Sequence, residues 1–185
     1  GQTTDGKTRV ITVFQDLVKT VYPNLRMLGN TQFSEDTFKN VIRNSEDDLF
    51  GTDDKTISEA ESEVLNIINR RKKQSDRTSL NDLKTHFTRK PYGWYPNAIW
   101  TITAKIYKRG KLEIKQDSNL LEDEEVLNAF LNSSYYGNTL LEPQATYDIG
   151  AIKALKQAYS DAFDETCSMK EAKDIANAFK NKLKR

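Results

Sequence analysis

Over residues 8–22 apolar side chains recur at Val10, Phe14, Leu17 and Val21, with Ile11 and Val18 alongside, the stripe of an amphipathic helix. Pro23 ends it. Ser34 is placed to cap a short second helix over residues 35–43, with Phe38, Val41 and Ile42 facing inward. The acidic, glycine-containing stretch of residues 44–55 reads as a loop. Ser58, with Glu61 three residues on, forms a capping box that opens a helix with Val64, Leu65, Ile67 and Ile68 on its apolar face. That helix runs out in the basic tract RRKKQSDR. Thr78, Ser79 and Leu80 are short and β-compatible, and precede a helix holding Leu83, His86 and Phe87. KPYGWYPN then interrupts the pattern, because Pro91, Gly93 and Pro96 each break regular structure. From Asn97, Ile99, Ile102 and Ile106 recur at helical spacing until Gly110 supplies a stop. Beyond it Leu112 and Ile114 alternate with Lys111, Glu113 and Lys115, the period of two that marks a strand.

Helix, short extended piece, helix, tight turn, helix, strand is the order of a winged helix-turn-helix. NTLLEP, at residues 138–143, is the candidate returning strand. Between the two strands, residues 124–131 look helical and SSYYGN looks like a turn, so the wing is elaborated. Two more helices follow at residues 149–163 and 170–183, the second opened by a capping box from Ser168 to Glu171. The expected fold class is mainly α, of the α+β kind: a helical domain containing a winged helix-turn-helix-like unit with a small β wing and flanking helices. The expected divisions are an N-terminal helical segment (1–55), the winged-helix-like unit (56–146) and a C-terminal helical segment (147–185), packed as one domain.

Composition narrows the function classes. Of 185 residues, 37% are hydrophobic and 30% charged, which implies a modest core and much solvated surface. Ten per cent aromatics supply the bulk that a disordered chain lacks. A net charge of +1 argues neither for nor against a polyanionic partner, so only local patches are informative. One cysteine, Cys167, and one histidine, His86, exclude a disulfide framework and a thiolate or imidazole zinc cage. No metal site is expected. The sequence has no apolar run near the roughly 18 residues of a membrane span and no signal-peptide pattern, so the expectation is a cytoplasmic protein with no membrane partner.

Two patterns carry candidate chemistry. GQTTDGKT matches the phosphate-cradling G-x-x-x-x-G-K-[ST] formally, which would give Gly6, Lys7 and Thr8 a nucleotide. That loop works between a buried strand and a helix, and no downstream apolar run ends in Asp to supply a second magnesium ligand. A chance match is expected, with an ATP-binding enzyme as the alternative. Lys105, Lys108, Arg109, Lys111 and Lys115 cluster on the third helix and the strand after it, opposed only by Glu113. In a winged helix that helix can enter a major groove while the wing touches phosphate, so these five are the candidate duplex-DNA residues. Arg70, Arg71, Lys72 and Lys73 form a second basic patch. Trp94, Tyr95 and Trp100 read as core filling around the turn. His86 lacks partners at catalytic spacing, and Asp123, Glu124 and Glu125 suit the positive end of a helix dipole. No catalytic residue is expected.

The central segment TSLNDLKTHFTRKPYGWYPNAIWTITAKIYKRGKLEIKQDSNLL, with the later YGNTLLEPQ, resembles the C-terminal half of the BrxC/PglY-type ATPases of BREX phage-resistance systems. The resemblance runs from VYPNLRML through the helices after Pro143, and KPYGW is its most specific part. It implies an excised piece of a large P-loop ATPase whose ATP and magnesium bind in a domain upstream, leaving this piece without a cofactor. The implied role is a non-catalytic accessory module mediating protein assembly, DNA contact or both. Its implied partners are other parts of the parent ATPase, other BREX proteins and duplex DNA. Pro91 and Gly93 would shape the turn, Tyr92 would belong to the same motif and Trp94 would lock it. A stand-alone winged-helix transcriptional regulator, which needs a dimer to read two half-sites, is a further alternative.

Overall fold

The structure, a computed structural model, describes residues 5–44, 56–144, 149–169 and 172–183. The loop expected at residues 45–55, and Glu171 of the last capping box, lie outside the described residues.

The elements run α1 (Gly6–Val21), a 3-10 turn (Pro23–Leu28), α2 (Glu35–Arg43), α3 (Glu59–Lys73), α4 (Leu80–Phe87), α5 (Pro96–Lys108), β1 (Leu112–Gln116), β2 (Asn119–Leu120), α6 (Asp123–Leu131), a second 3-10 turn (Ser133–Tyr135), β3 (Thr139–Pro143), α7 (Ile149–Phe163) and α8 (Ala172–Leu183). Their boundaries have local causes. Ser34, Ser58 and Ser79 each accept the N–H three residues on, and each receives a side chain back in a capping box. Gly110, at φ 64°, closes α5 with its N–H on the Tyr107 carbonyl and the Lys111 N–H on the Ile106 carbonyl, a Schellman end.

β1 is central in a three-stranded antiparallel sheet of order β2-β1-β3, in which Ile114 faces Leu141. The β1–β2 turn has two residues, Asp117 and Ser118, both at positive φ, which matches the twist of a tight hairpin. The extended piece before α4 joins this sheet: the Leu141 N–H donates to the Thr78 carbonyl at 2.8 Å, and Ser79 bridges Leu140. The mainly helical winged helix-turn-helix with a small wing is therefore present, with the second 3-10 turn inside the turn expected at SSYYGN, and with β2 and the first 3-10 turn added to the expected elements.

The chain divides after Gln144 into two compact units. Phe38, Val41 and Ile42 of α2 belong to the same hydrophobic core as α3, α4, α5 and the sheet. In the second unit α7 and α8 meet through Tyr159, Phe163 and Phe179, whose rings lie 5.0–5.3 Å apart, while Lys182 lies over Tyr159 and Phe163 and pairs with Glu165. No helix among the described residues is long and apolar enough to cross a membrane.

Candidate functional site

The turn between α4 and α5 folds back on itself. The Phe87 carbonyl accepts the Trp94 N–H at 2.8 Å, and the Arg89 carbonyl accepts both the Tyr92 and Gly93 N–H groups at 2.9 and 3.0 Å. The Lys90–Pro91 peptide is cis and Gly93 sits at φ 64°. Trp94, 1% exposed, stacks on Phe87 at 4.6 Å and meets the Tyr92 ring edge-on. This arrangement forms a socket. The Trp94 Nε1–H donates to the Asn24 carbonyl at 3.1 Å, and the Asn24 N–H donates back to the Pro91 carbonyl at 3.0 Å. A methyl group on Gly93 would come within 2.6 Å of the Tyr22 ring. The Tyr92 hydroxyl donates to Glu63 of α3, and burial together with that carboxylate pushes its pKa up to about 12. The turn thus ties α3, α4 and α5 to residues 22–25 at the foot of α1.

The second feature is the burial of α5. Eight of its thirteen residues are buried, including the unbroken run from Ala98 to Ala104, so the helix is covered on every side. Thr101 and Thr103 remain satisfied in that setting by donating to the Asn97 and Ile99 carbonyls, each at 2.7 Å. Trp100 meets Phe130 of α6 edge-on, and Phe130 stacks on Phe38 of α2, so α2 and α6 close over α5. At its C-terminal end, the Lys108 ammonium donates to the Ile42 carbonyl at 3.0 Å and to Asp123 at 2.8 Å. Tyr107 donates to the other Asp123 oxygen, and burial, then that carboxylate, drive its pKa upward. Arg109 Nε donates to Glu61 at 3.1 Å, with only 8% and 3% of the two side chains exposed.

The model of the BREX ATP-binding protein BrxC winged helix-turn-helix domain matches residues 25–144, from the segment gripped by Trp94 to the end of the sheet. The chain belongs to that BrxC winged-helix family. No solved structure matches it.

In this BrxC domain the five basic residues singled out by spacing part company. Lys108 and Arg109 are not outer-surface cations, since both point inward onto carboxylates. Lys115 is held between Glu142, at 2.7 Å, and Glu113, at 3.5 Å; its bond to Glu142 raises its pKa and lowers that of Glu142. Lys105 is half-buried, and Lys111 is exposed. Helical and strand periodicity identifies the elements these residues occupy, but not the α2 and α6 surfaces that cover one side of α5. Gly6, Lys7 and Thr8 lie in the first turn of α1, exposed all round, with no wall to enclose a nucleotide among the described residues; the motif's residues 1–4 lie outside them. Among the described residues, no cluster of acidic, cysteine or histidine side chains could hold a metal.

Sequence reasoning also left Glu61 as a cap alone. It does cap α3, since its Oε2 accepts the Ser58 N–H at 2.8 Å, but its other oxygen holds Arg109. A signal was present, because Glu61 falls on the same helical stripe as Val64 and Ile68. For the socket, Gly93→Ala is expected to destabilise the domain by roughly 2 kcal/mol through left-handed strain and displacement of Tyr22, lowering the melting midpoint by about 4–8 °C. An unchanged thermal melt would show that Tyr22 does not sit on Gly93.

Proposed function

We propose that this BREX-associated winged-helix domain is a non-catalytic docking module that seats protein partners, other parts of the parent ATPase or other BREX proteins, and does not read base sequence. The burial of α5 supports this most directly. A helix that reads a major groove must present an exposed face of side chains to base edges, and α5 has none between Ala98 and Ala104. The same burial disfavours a stand-alone transcriptional regulator. ATP and magnesium belong in this reading to the parent protein's ATPase region.

The surface suited to docking is α1. Val10 and Phe14 are 70% and 63% exposed, and Ile11, Val13 and Leu17 are exposed with them. No residue of α1 is buried, and beyond Val18 and Val21, half-buried near the 3-10 turn at its foot, its apolar stripe from Val10 to Leu17 is exposed. An isolated helix of sixteen residues is marginal in water, and burying such a stripe on a partner stabilises it. Serine at Val10, Phe14 and Leu17 together is expected to leave the melting midpoint of the domain unchanged. Co-purification of the chain with the remaining BrxC protein and the other BREX components is expected to fall about tenfold or more, as loss of apolar anchors predicts. Full retention of those partners by the folded triple variant would sink this reading.

A further inference from the structure

We propose that the C-terminal end of α3, with the chain leading into α4, is a sequence-blind surface for the phosphate backbone of a nucleic-acid duplex, held chiefly by Arg70, Lys73 and Arg77. The near-neutral chain hides a separation of charge. Residues 70–90 hold eight Lys and Arg against two carboxylates, Asp76 and Asp82, while residues 113–125 hold six carboxylates against Lys115 alone. From packed elements Glu63 and Glu142 also face this surface, within electrostatic reach of Arg70 and of Lys72 and Arg77, so the cations of residues 70–90 still outnumber the carboxylates around them by eight to four.

The structure sorts these cations. Arg71 is engaged internally, donating to the Arg77 carbonyl at 2.9 Å and lying 3.8 Å from Asp82. Lys72 reaches the Pro143 carbonyl at 3.5 Å. Arg70, Lys73 and Arg77 are exposed. Arg89 and Lys90, exposed beyond α4, extend the charge. The ends of α3 and α4 lie within electrostatic reach of one another: the pKa of His86 in the last turn of α4 is lowered by burial first and by Arg70 next.

Complementing the negative end of the α3 dipole explains cations in its last turn, but that effect fades within a turn. It does not account for Arg77, Arg89 or Lys90. An acidic protein is the other polyanion to weigh. Stable protein interfaces need a desolvated apolar centre, and no large exposed hydrophobic side chain among the described residues falls between 70 and 94. A phosphate backbone needs none, because its affinity comes from counterion release. With α5 closed and the contact made to phosphate, binding must be salt-dependent and indifferent to sequence.

The test is fluorescence anisotropy of the full chain with two labelled duplexes of unrelated sequence, titrated between about 50 and about 200 mM salt. The expected result is equal affinity for both, steeply weakened by salt. The triple variant Arg70→Gln, Lys73→Gln, Arg77→Gln is expected to bind at least about tenfold more weakly and to lower the salt slope by roughly 3. Near-ultraviolet circular dichroism should show it folded, since all three side chains are exposed. Lys105→Gln with Lys111→Gln is expected to change binding little. The proposal is overturned by absence of duplex binding at low salt, by a marked preference between the sequences, or by a folded triple variant that binds as tightly as the parent. Equal binding of polyglutamate at matched charge would overturn it as well, in favour of an acidic protein. Protein docking through α1 is read by co-purification, so either idea can fail without the other.

Discussion

Trp94→Ala is expected to cost about 3–5 kcal/mol, the largest loss from any single truncation in the socket. The indole is buried, stacked on Phe87 and in edge contact with Tyr92, so its removal leaves a cavity bordered by two rings. It also removes the donor to the Asn24 carbonyl, which holds the foot of α1. A domain of this size has about 5–15 kcal/mol of stability in all, so the variant can fall to partial unfolding at room temperature. Trp94→Phe separates the two contributions. It keeps a ring against Phe87 and loses the hydrogen bond, and is expected to cost about 1–2 kcal/mol in urea unfolding. Its amide exchange should rise at residues 22–28 while the amides pairing β1 with β3 stay protected. If the phenylalanine variant loosened the sheet and the 22–28 segment equally, the indole would be general core filling and not a tether.

That tether shows where reading the sequence stops. Pro91, Gly93 and Trp94 announce a turn and a buried aromatic through their own backbone and size preferences, which are local properties. Asn24 carries no such mark. Its role is made by its main chain meeting a side chain seventy positions away, and no periodicity encodes that. Helices and strands were legible for the same local reason: Ser58 with Glu61, Gly110 at the end of α5, and the alternation from Lys111 to Lys115 each act within a few residues. β2 escaped because two residues, Asn119 and Leu120, are too short to show alternation. The candidate site was legible only in part. Lys108 and Arg109 look like a basic helix end in sequence, and what directs them inward is Asp123, Ile42 and Glu61, all distant along the chain. Arg70 to Lys73 read the same way in sequence, yet Arg70, Lys72 and Lys73 stay exposed and only Arg71 is half-buried. Charge runs alone do not tell these two cases apart.

The Glu61–Arg109 pair yields the second large effect. Glu61→Ala is expected to destabilise by about 3–5 kcal/mol, because it removes one member of a buried ion pair and the Glu61 half of the α3 capping box in a single step. Arg109 keeps its bond to the Thr56 carbonyl at 3.2 Å, which holds the cost toward the lower end of that range. Arg109→Met should cost about as much, since it leaves the Glu61 charge buried with only the Ser58 N–H beside it. Replacing both, Glu61→Leu with Arg109→Met, is expected to recover most of the loss, all but about 1 kcal/mol for the missing cap, because an apolar pair needs no desolvation of charge. Thermal melts of the parent, Glu61→Leu, Arg109→Met and the double variant give the coupling energy directly, and strictly additive losses would show that the two side chains do not act as a pair. The same set bears on the nucleic-acid surface. The double variant, once folded, should bind duplex as the parent does, because Arg109 is committed to the core; a selective loss of duplex affinity would place the contact at the end of α5 after all.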